Sequence, residues 1–351
     1  MYCINCGIEV SGDALFCHQC GAEQTEKPDV DGPLPWGWDA KRLQKGIAFL
    51  DNGLAFVAVG VLAIITTILF AVGSQGFAAA NPAAVMQQFC LIGPLAVAAL
   101  VSTRTGGLDL SVGGIMALSS VLLAMHASAG NTGVGLLLAL VVCGALGLLN
   151  GLFIMVARIP AVLVTVASAM LTRGIAMWAS NDTPDRLPAG WMELKVPVAV
   201  SVLAISLAIA ILVLWRTGRF AKEQKPIRGA MKFFWIYGLI AVIGVLAGWA
   251  AAICFGVADT SIGTGSSNEM ILLFVFATIS ATGLLKNNWV ALVWVLLVAM
   301  LWTIHDQAMI LLELNPFSMI VSNASWVFIL LAVMAIAKRS WKKPMRVDWG
   351  R

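Results

Sequence analysis

The hydrophobic pattern of this chain is a series of long apolar runs separated by short polar breaks. A helix that crosses a bilayer needs about 20 predominantly apolar residues, and about ten runs approach that length. Their bounds are 53–73, 83–102, 111–128, 133–157, 160–178, 196–215, 233–255, 269–285, 288–304 and 318–337. The pattern predicts an all-α polytopic membrane protein with about ten transmembrane helices.

Composition and charge agree with this prediction. The chain is 60% hydrophobic and only 11% charged, whereas soluble domains carry roughly 25% charged residues. If the N-terminus is cytoplasmic, ten spans place both termini inside, and cytoplasmic segments then hold all but three of the 22 Lys and Arg residues. The exceptions are Arg173, Arg186 and Lys195. The net charge of +4 therefore reflects the positive-inside rule, and it requires no nucleic-acid partner.

Four cysteines near the N-terminus form two knuckles, Cys3-x2-Cys6 and Cys17-x2-Cys20. Such knuckles arrange four thiolates tetrahedrally around Zn²⁺, in a closed set that leaves no position for catalysis. A rubredoxin-like iron site and a pair of disulfides are the alternatives, and a cytoplasmic location disfavours the disulfides. We expect a structural zinc ribbon over residues 1–24.

The pattern divides the rest of the chain into three parts. Residues 25–52 are acidic and Pro-rich, then basic and amphipathic, which predicts a linker and a juxtamembrane segment lying against membrane lipid. Residues 53–338 form the transmembrane domain, and 339–351 form a basic cytoplasmic tail. The ribbon is either a docking module for a partner protein or a folded cap without one.

One polar break, GGLDLSVGG over residues 106–114, carries a carboxylate between two apolar runs. An ionisable group near membrane depth is costly and indicates function, whereas the same group in a surface turn does not. Both interpretations of Asp109 remain open at this point. The candidate junction residues in the break are Gly106, Gly107, Asp109, Ser111 and Gly113.

A second unusual stretch runs from Leu148 to Met177. Asn150 places an amide in an apolar helix beside Gly151, which permits close approach of another helix. Pro160 ends one span and begins the next.

Three hydroxyl residues in this stretch, Thr165, Ser168 and Thr172, fall on one face of a helix. That face either lines a polar pathway or packs against another helix.

Together these stretches resemble the permease subunits of bacterial ATP-binding-cassette importers of the ribose, xylose and galactose type. The counterparts of two family segments are GGLDLSVGG at 106–114 and LLNGLFIMVARIPAVLVTVASAMLTRG at 148–174, with QQ…IGPLA at 87–96 just before them. Their order, spacing and hydrophobic context match the family over residues 87–178.

The resemblance implies a ten-helix permease in the inner membrane of a prokaryotic cell, with both termini cytoplasmic. Its partners would be two ATPase subunits, a second permease chain (identical or different) and an extracytoplasmic solute-binding protein. Substrate would move by alternating access without chemical change. This chain has no GxxxxGK[ST] phosphate loop, so we expect no enzymatic activity in it and a role for ATP only through the ATPase subunits.

The second half departs from the family. Residues 215–234 keep only the start of the cytoplasmic segment that seats in the ATPase, followed by a shorter basic stretch. Its candidate ATPase-facing residues are Arg219, Lys222, Lys225 and Arg228. Three functional hypotheses follow: a divergent permease for a sugar or sugar-like solute, a channel-like or facilitative transporter, and a non-transporting or regulatory subunit that pairs with a complete permease and presents its zinc ribbon.

Outside these motifs, the sequence offers weak candidates for chemistry. His305 and Asp306 follow the predicted ninth span, so we expect a solvated pair in an outer loop.

Overall fold

A computed structural model describes most of the membrane region of the chain. The described residues are 59–61, 63–66, 68, 82–105, 107–157, 159–181, 183, 185–220, 226–258, 271–275 and 288–340. The predicted zinc ribbon at 1–24, the linker at 25–52 and most of the tail at 339–351 lie outside them, as does the larger part of the predicted spans at 53–73 and 269–285.

The described chain is mostly helical. We number its long helices α1 Pro82–Thr105, α2 Ser111–Ser128, α3 Thr132–Val156, α4 Ala161–Ser180, α5 Lys195–Phe220, α6 Pro226–Phe255, α7 Asn288–Leu311 and α8 Pro316–Ser340. Within the described residues, seven helices are long and apolar enough to cross a membrane, and α8 contains a shorter apolar stretch at Phe317–Ala332. The helical membrane class is confirmed, whereas the number of ten spans stays a prediction.

Helix α2 occupies the centre of the bundle. Of the residues in its apolar membrane-spanning stretch, 83% are buried, whereas only 28% are buried in the corresponding stretches of α3 and α4. It packs against α3, α4 and α6. Its small residues Gly113, Gly114 and Ala117 are buried, and small residues let neighbouring helices approach closely in a membrane. The break that carries Asp109 therefore leads directly into the core helix.

Helices α3 and α6 approach closely at a glycine. A Cβ atom added at Gly147 would contact the Cβ atom of Ala241 and would lie 2.8 Å from the carbonyl oxygen of Tyr237. One turn earlier on the same helix, a Cβ atom added at Gly144 would meet nothing within 4 Å. The absence of a side chain at Gly147 is what permits this helix contact.

A short two-stranded ladder and a 3₁₀ helix lie beyond the C-terminal ends of α4 and α6. Helix α4 ends at Ser180 and is followed by its C-cap Asn181, which adopts a left-handed conformation with φ 49°. Asp185–Arg186 then pairs antiparallel with Val257–Ala258 in a two-stranded ladder, and a 3₁₀ helix follows at Ala189–Leu194. The all-α prediction omitted this ladder because two residues per strand leave no detectable alternation in the sequence.

The connection between α5 and α6 is shorter than the sequence predicted. Apolar content ends at 215 and resumes at 233, but α5 continues to Phe220 and α6 begins at Pro226. Residues 221–225 lie between the two helices and outside the described part of the chain. Proline is well suited to the first position of a helix, because it has no N–H group to leave unpaired there.

Three exposed tryptophans lie near the ends of helices. The side-chain amide of Asn288 donates to the carbonyl oxygen of Leu214 at 3.4 Å, which joins the start of α7 to the end of α5. Trp215 and Trp289, each next to one of these residues, are about half exposed, and so is Trp235, which lies at the start of the apolar span Phe234–Phe255 of α6. Exposed tryptophans at helix ends are typical of the membrane–water interface.

Candidate functional site

The break between α1 and α2 is closed by a carboxylate. Asp109 Oδ1 accepts hydrogen bonds from the Ser111 backbone N–H at 2.8 Å and from Ser111 Oγ at 2.6 Å. Ser111 is the first residue of α2, so its N–H has no partner inside the helix. Across the break, the Gly107 N–H donates to the Ser102 carbonyl at 3.2 Å. The carboxylate therefore stabilises the start of the core helix.

Two further helices contact the same break. Asn150, in the middle of α3, donates from Nδ2 to Ser111 Oγ at 3.1 Å. Thr165 in α4 donates from Oγ1 to the Leu108 carbonyl at 3.3 Å. The two sequence motifs, separated along the chain, thus meet in one hydrogen-bonded group, which we call the Asp109 junction: Leu108, Asp109, Ser111, Asn150 and Thr165.

Helix α6 contributes a residue that sequence reasoning missed. Tyr237 is fully buried, and its hydroxyl lies 2.9 Å from the Cβ position that a side chain at Gly107 would occupy. The same position lies 2.5 Å from the Cβ atom of Ala161. Within the described residues, the Tyr237 hydroxyl has no hydrogen-bond partner. The chain has only two tyrosines, and the position of one of them in an apolar span is the sequence feature that could have drawn attention to Tyr237.

The surroundings of Asp109 perturb its titration. The residue lies between two membrane spans and is 1% exposed. Burial raises its pKa to about 6, although the two hydrogen bonds from Ser111 act in the opposite direction. The carboxyl group therefore changes charge close to neutral pH.

The three hydroxyl residues of α4 lie in the α2–α4 interface. Thr165, Ser168 and Thr172 are all buried. A Cβ atom added at Gly114 of α2 would contact Thr172 Oγ1 and would lie 2.7 Å from the Ala169 carbonyl oxygen. For Thr172 this contact is one of helix packing, whereas a pathway role for the three residues stays a prediction.

The remaining predicted residues take their places as follows. Gly113 and Gly151 are buried in α2 and α3, and Pro160 is the N-cap of α4. Arg219 belongs to the last turn of α5 and Arg228 to the first turn of α6.

Several predicted residues lie outside the described part of the chain: Gly106, Lys222, Lys225 and the cysteines Cys3, Cys6, Cys17 and Cys20. Among the residues that are described, no group of three or more His, Cys, Asp and Glu side chains is placed to hold a metal ion.

The expectation for His305 and Asp306 is wrong. Both residues lie inside α7, which continues to Leu311, and each is 1% exposed. His305 contacts Thr66 Oγ1 and Ser322 Oγ, and Asp306 accepts a hydrogen bond from Asn323. The span extends beyond 304 because polar partners on other helices compensate the burial of these side chains, which sequence periodicity does not reveal.

Comparison with curated proteins identifies relatives of this chain. It is 26% identical over 256 residues to the autoinducer 2 import system permease protein LsrC of Salmonella typhi, covering 68% of this chain and 74% of the relative. The protein of the same name from Escherichia coli (strain K12 / DH10B) is 28% identical over 208 residues, or 54% of this chain and 61% of the relative. The chain is homologous to import permeases.

This homology confirms the coarse prediction of a helical multi-pass membrane protein related to permease components of import systems. The relative from Enterobacter sp. (strain 638) is 31% identical over a shorter stretch of 122 residues, 34% of this chain and 36% of that protein. No protein-family profile matches the chain, and no solved structure is similar to it.

Proposed function

We propose that this chain is the permease subunit of an ATP-binding-cassette importer for a sugar or sugar-like solute. The observation that carries the proposal is the Asp109 junction, in a chain homologous to import permeases over 68% of its length. The junction joins the two stretches that resemble sugar-importer permeases through direct hydrogen bonds.

In this proposal, substrate moves by alternating access, driven by ATP hydrolysis in separate subunits. Helix α2 packs against α3, α4 and α6, and close-packed interiors transmit displacement rather than absorb it. A displacement of the cytoplasmic helix ends would therefore tilt α2, α3, α4 and α6 together as a rigid group. Asp109 would hold the helix junction during that motion rather than contact the solute.

Three kinds of partner follow from this mechanism. ATPase subunits would supply the motion, docking near the α5–α6 connection where Arg219, Lys222, Lys225 and Arg228 add positive charge. A second permease chain would complete the translocation path. An extracytoplasmic binding protein would deliver the solute, and its own selectivity would decide much of the substrate range.

Affinity purification of the tagged chain in mild detergent tests the proposal. We expect an ATPase subunit and a second permease to be recovered and identified by mass spectrometry. Recovery of neither, from membranes in which both are expressed, would contradict the importer function.

A second candidate function is that of a non-transporting or regulatory membrane subunit, which pairs with a complete permease. It is favoured by the α5–α6 connection, where five residues separate the helices, leaving little chain to form a coupling helix of its own. This alternative would be supported if the tagged chain co-purified with a complete permease and if cells that lack this chain kept full transport.

We also propose that Cys3, Cys6, Cys17 and Cys20 bind one structural Zn²⁺. Four thiolates in two knuckles match the tetrahedral coordination that zinc prefers, and iron is the competing metal. The ribbon would act as a small cytoplasmic docking module, since a closed set of four ligands leaves no position for a substrate.

A further inference from the structure

Three consecutive polar residues of α7, His305 to Gln307, contact other helices of the bundle. His305 lies with Nδ1 3.2 Å from Thr66 Oγ1 and with Nε2 3.3 Å from Ser322 Oγ of α8. Gln307 donates from Nε2 to Gln88 Oε1 of α1 at 3.4 Å. The stretch therefore joins α1, α8 and the helical residues 63–66 around one end of α7.

The residue between them makes the most buried contact. Asp306 Oδ1 accepts a hydrogen bond from Asn323 Nδ2 of α8 at 3.1 Å. Asp306 is 1% exposed and Asn323 is 0% exposed. The second polar atom of that amide, Asn323 Oδ1, is buried and has no hydrogen-bond partner within the described residues.

This arrangement costs more than helix packing alone requires. Burying polar groups in an apolar interior is unfavourable unless every group is paired, and an unpaired buried acceptor loses its solvation without compensation. Interhelical hydrogen bonds in membranes recover only a small part of that cost. Apolar side chains at the same positions would hold α7 to α8 at lower cost, so the cluster calls for a reason besides packing.

The chemistry of the cluster matches a neutral solute that carries several hydroxyl groups. Carboxyl and amide oxygens accept from hydroxyls, whereas amide N–H groups and a hydroxyl donate to them. Between residues 287 and 337 the sequence contains no Lys or Arg, so α7 and the described apolar part of α8 provide no cation for an anionic solute. The indole of Trp326 stands edge-on to the His305 ring at 6.1 Å and supplies an apolar surface for the carbon skeleton.

We propose that His305, Asp306, Gln307, Ser322 and Asn323, the α7–α8 cluster, form the site at which the permease recognises a neutral polyhydroxylated solute. The inference rests on the proposed function and names the solute class and the residues. Gln88 lies near the start of α1 and Asp109 follows its end, so the cluster and the Asp109 junction lie at opposite ends of that helix. Solute enters when the ends of α7 and α8 near residues 312–315 separate, and its hydroxyls then replace the bonds between the helices.

Uptake by cells that express the chain with its co-purifying ATPase and binding protein tests this inference. The probes are radiolabelled D-ribose, D-xylose and D-galactose. We expect Asp306→Asn to raise KM by about tenfold or more, because an amide presents one acceptor oxygen where the carboxyl presents two, and a hydrogen bond to the solute is lost, with little change in Vmax per molecule at the membrane. The control Ser325→Ala, on the same helix but at an exposed hydroxyl bonded to its own helix, is expected to leave KM unchanged.

The exchange variant Asp306→Asn/Asn323→Asp separates recognition from packing. It keeps one carboxyl and one amide in contact, so a merely structural pair would be satisfied, and both thermal stability in detergent and KM would return to wild-type values. We expect stability to recover and KM to remain raised. Recovery of KM in the exchange variant, a wild-type KM in Asp306→Asn, or uptake of none of the three sugars would overturn the inference. If an ATPase still co-purified in these cases, the importer function itself would stand.

Discussion

The approach of α3 to α6 leads to a quantitative prediction from two glycines on one helix. Gly147→Ala places a methyl group against Ala241 Cβ and 2.8 Å from the Tyr237 carbonyl oxygen, whereas ordinary van der Waals contacts begin at 3.4 Å. Neither neighbour is the flexible end of a side chain. The two helices must therefore separate by up to about 1 Å, a degree of overpacking that typically costs about 1–3 kcal/mol.

Gly144→Ala is the matched control. It lies one turn away in α3, and its new methyl group meets nothing within 4 Å. Both substitutions gain the same improvement in helix propensity, about 1 kcal/mol. The difference in unfolding free energy between the two variants is therefore the packing cost alone, about 1–3 kcal/mol.

The assay is equilibrium unfolding of each purified variant in mixed micelles, in which increasing SDS unfolds the chain and far-UV circular dichroism reports the transition. We expect Gly144→Ala to unfold at or above the wild-type midpoint and Gly147→Ala clearly below it. Adding Ala241→Gly to Gly147→Ala removes one of the two close contacts and should recover part of the loss. Equal midpoints for the two single variants would refute the close approach of α3 and α6.

Three further predictions concern the Asp109 junction and the N-terminal cysteines. Because burial raises the pKa of Asp109 from 3.8 to about 6, the folded state binds more protons between these pH values, and the stability contributed by this group is lost as pH rises through about 6. Asp109→Asn, which cannot titrate, should thus gain about 2 kcal/mol relative to wild type between about pH 4 and 7.5; a pH-independent difference in SDS unfolding would contradict the burial of the carboxyl. A double-mutant cycle of Asn150→Ala and Ser111→Ala should give a coupling of about 0.5–1.5 kcal/mol, and additivity would show that their hydrogen bond contributes nothing. Elemental analysis of the full chain should find about one zinc that is lost in Cys3→Ser/Cys6→Ser, whereas iron, or unchanged metal content in the variant, would reject the zinc ribbon.

Much of the Asp109 junction was predictable, because its members belong to two unusual stretches of sequence. Asp109 and Asn150 are conspicuous as polar groups among apolar residues, and Pro160 marks a helix boundary by its missing N–H. Tyr237 is noticeable as one of two tyrosines in the chain, but its place in the junction was not predictable, since nothing near it in sequence indicates that α6 passes beside Gly107. The role of Thr172 was equally undetermined until its contact with Gly114 placed it in a helix interface.

The prediction for His305 and Asp306 failed for a related reason. A window of sequence registers their polarity and ends the span at 304. The helix nevertheless continues to Leu311, because Asn323 and Ser322 pair with these residues from a helix that begins after them. Hydrogen bonds to another helix outweigh the local preference of these polar residues for a loop. Only the fold brings those partners together.

The sequence by itself determined the properties that depend on local composition and spacing. These are the membrane class, the positions of most helices, the two related motifs and the cysteine spacing at 3–20, and they are local because each helix satisfies its own backbone hydrogen bonds in the bilayer. The tertiary structure decided which polar groups share a site. Ser111 with Asn150, and Asp306 with Asn323, meet across 39 and 17 residues of chain, where burial and helix packing, rather than periodicity, choose the partners.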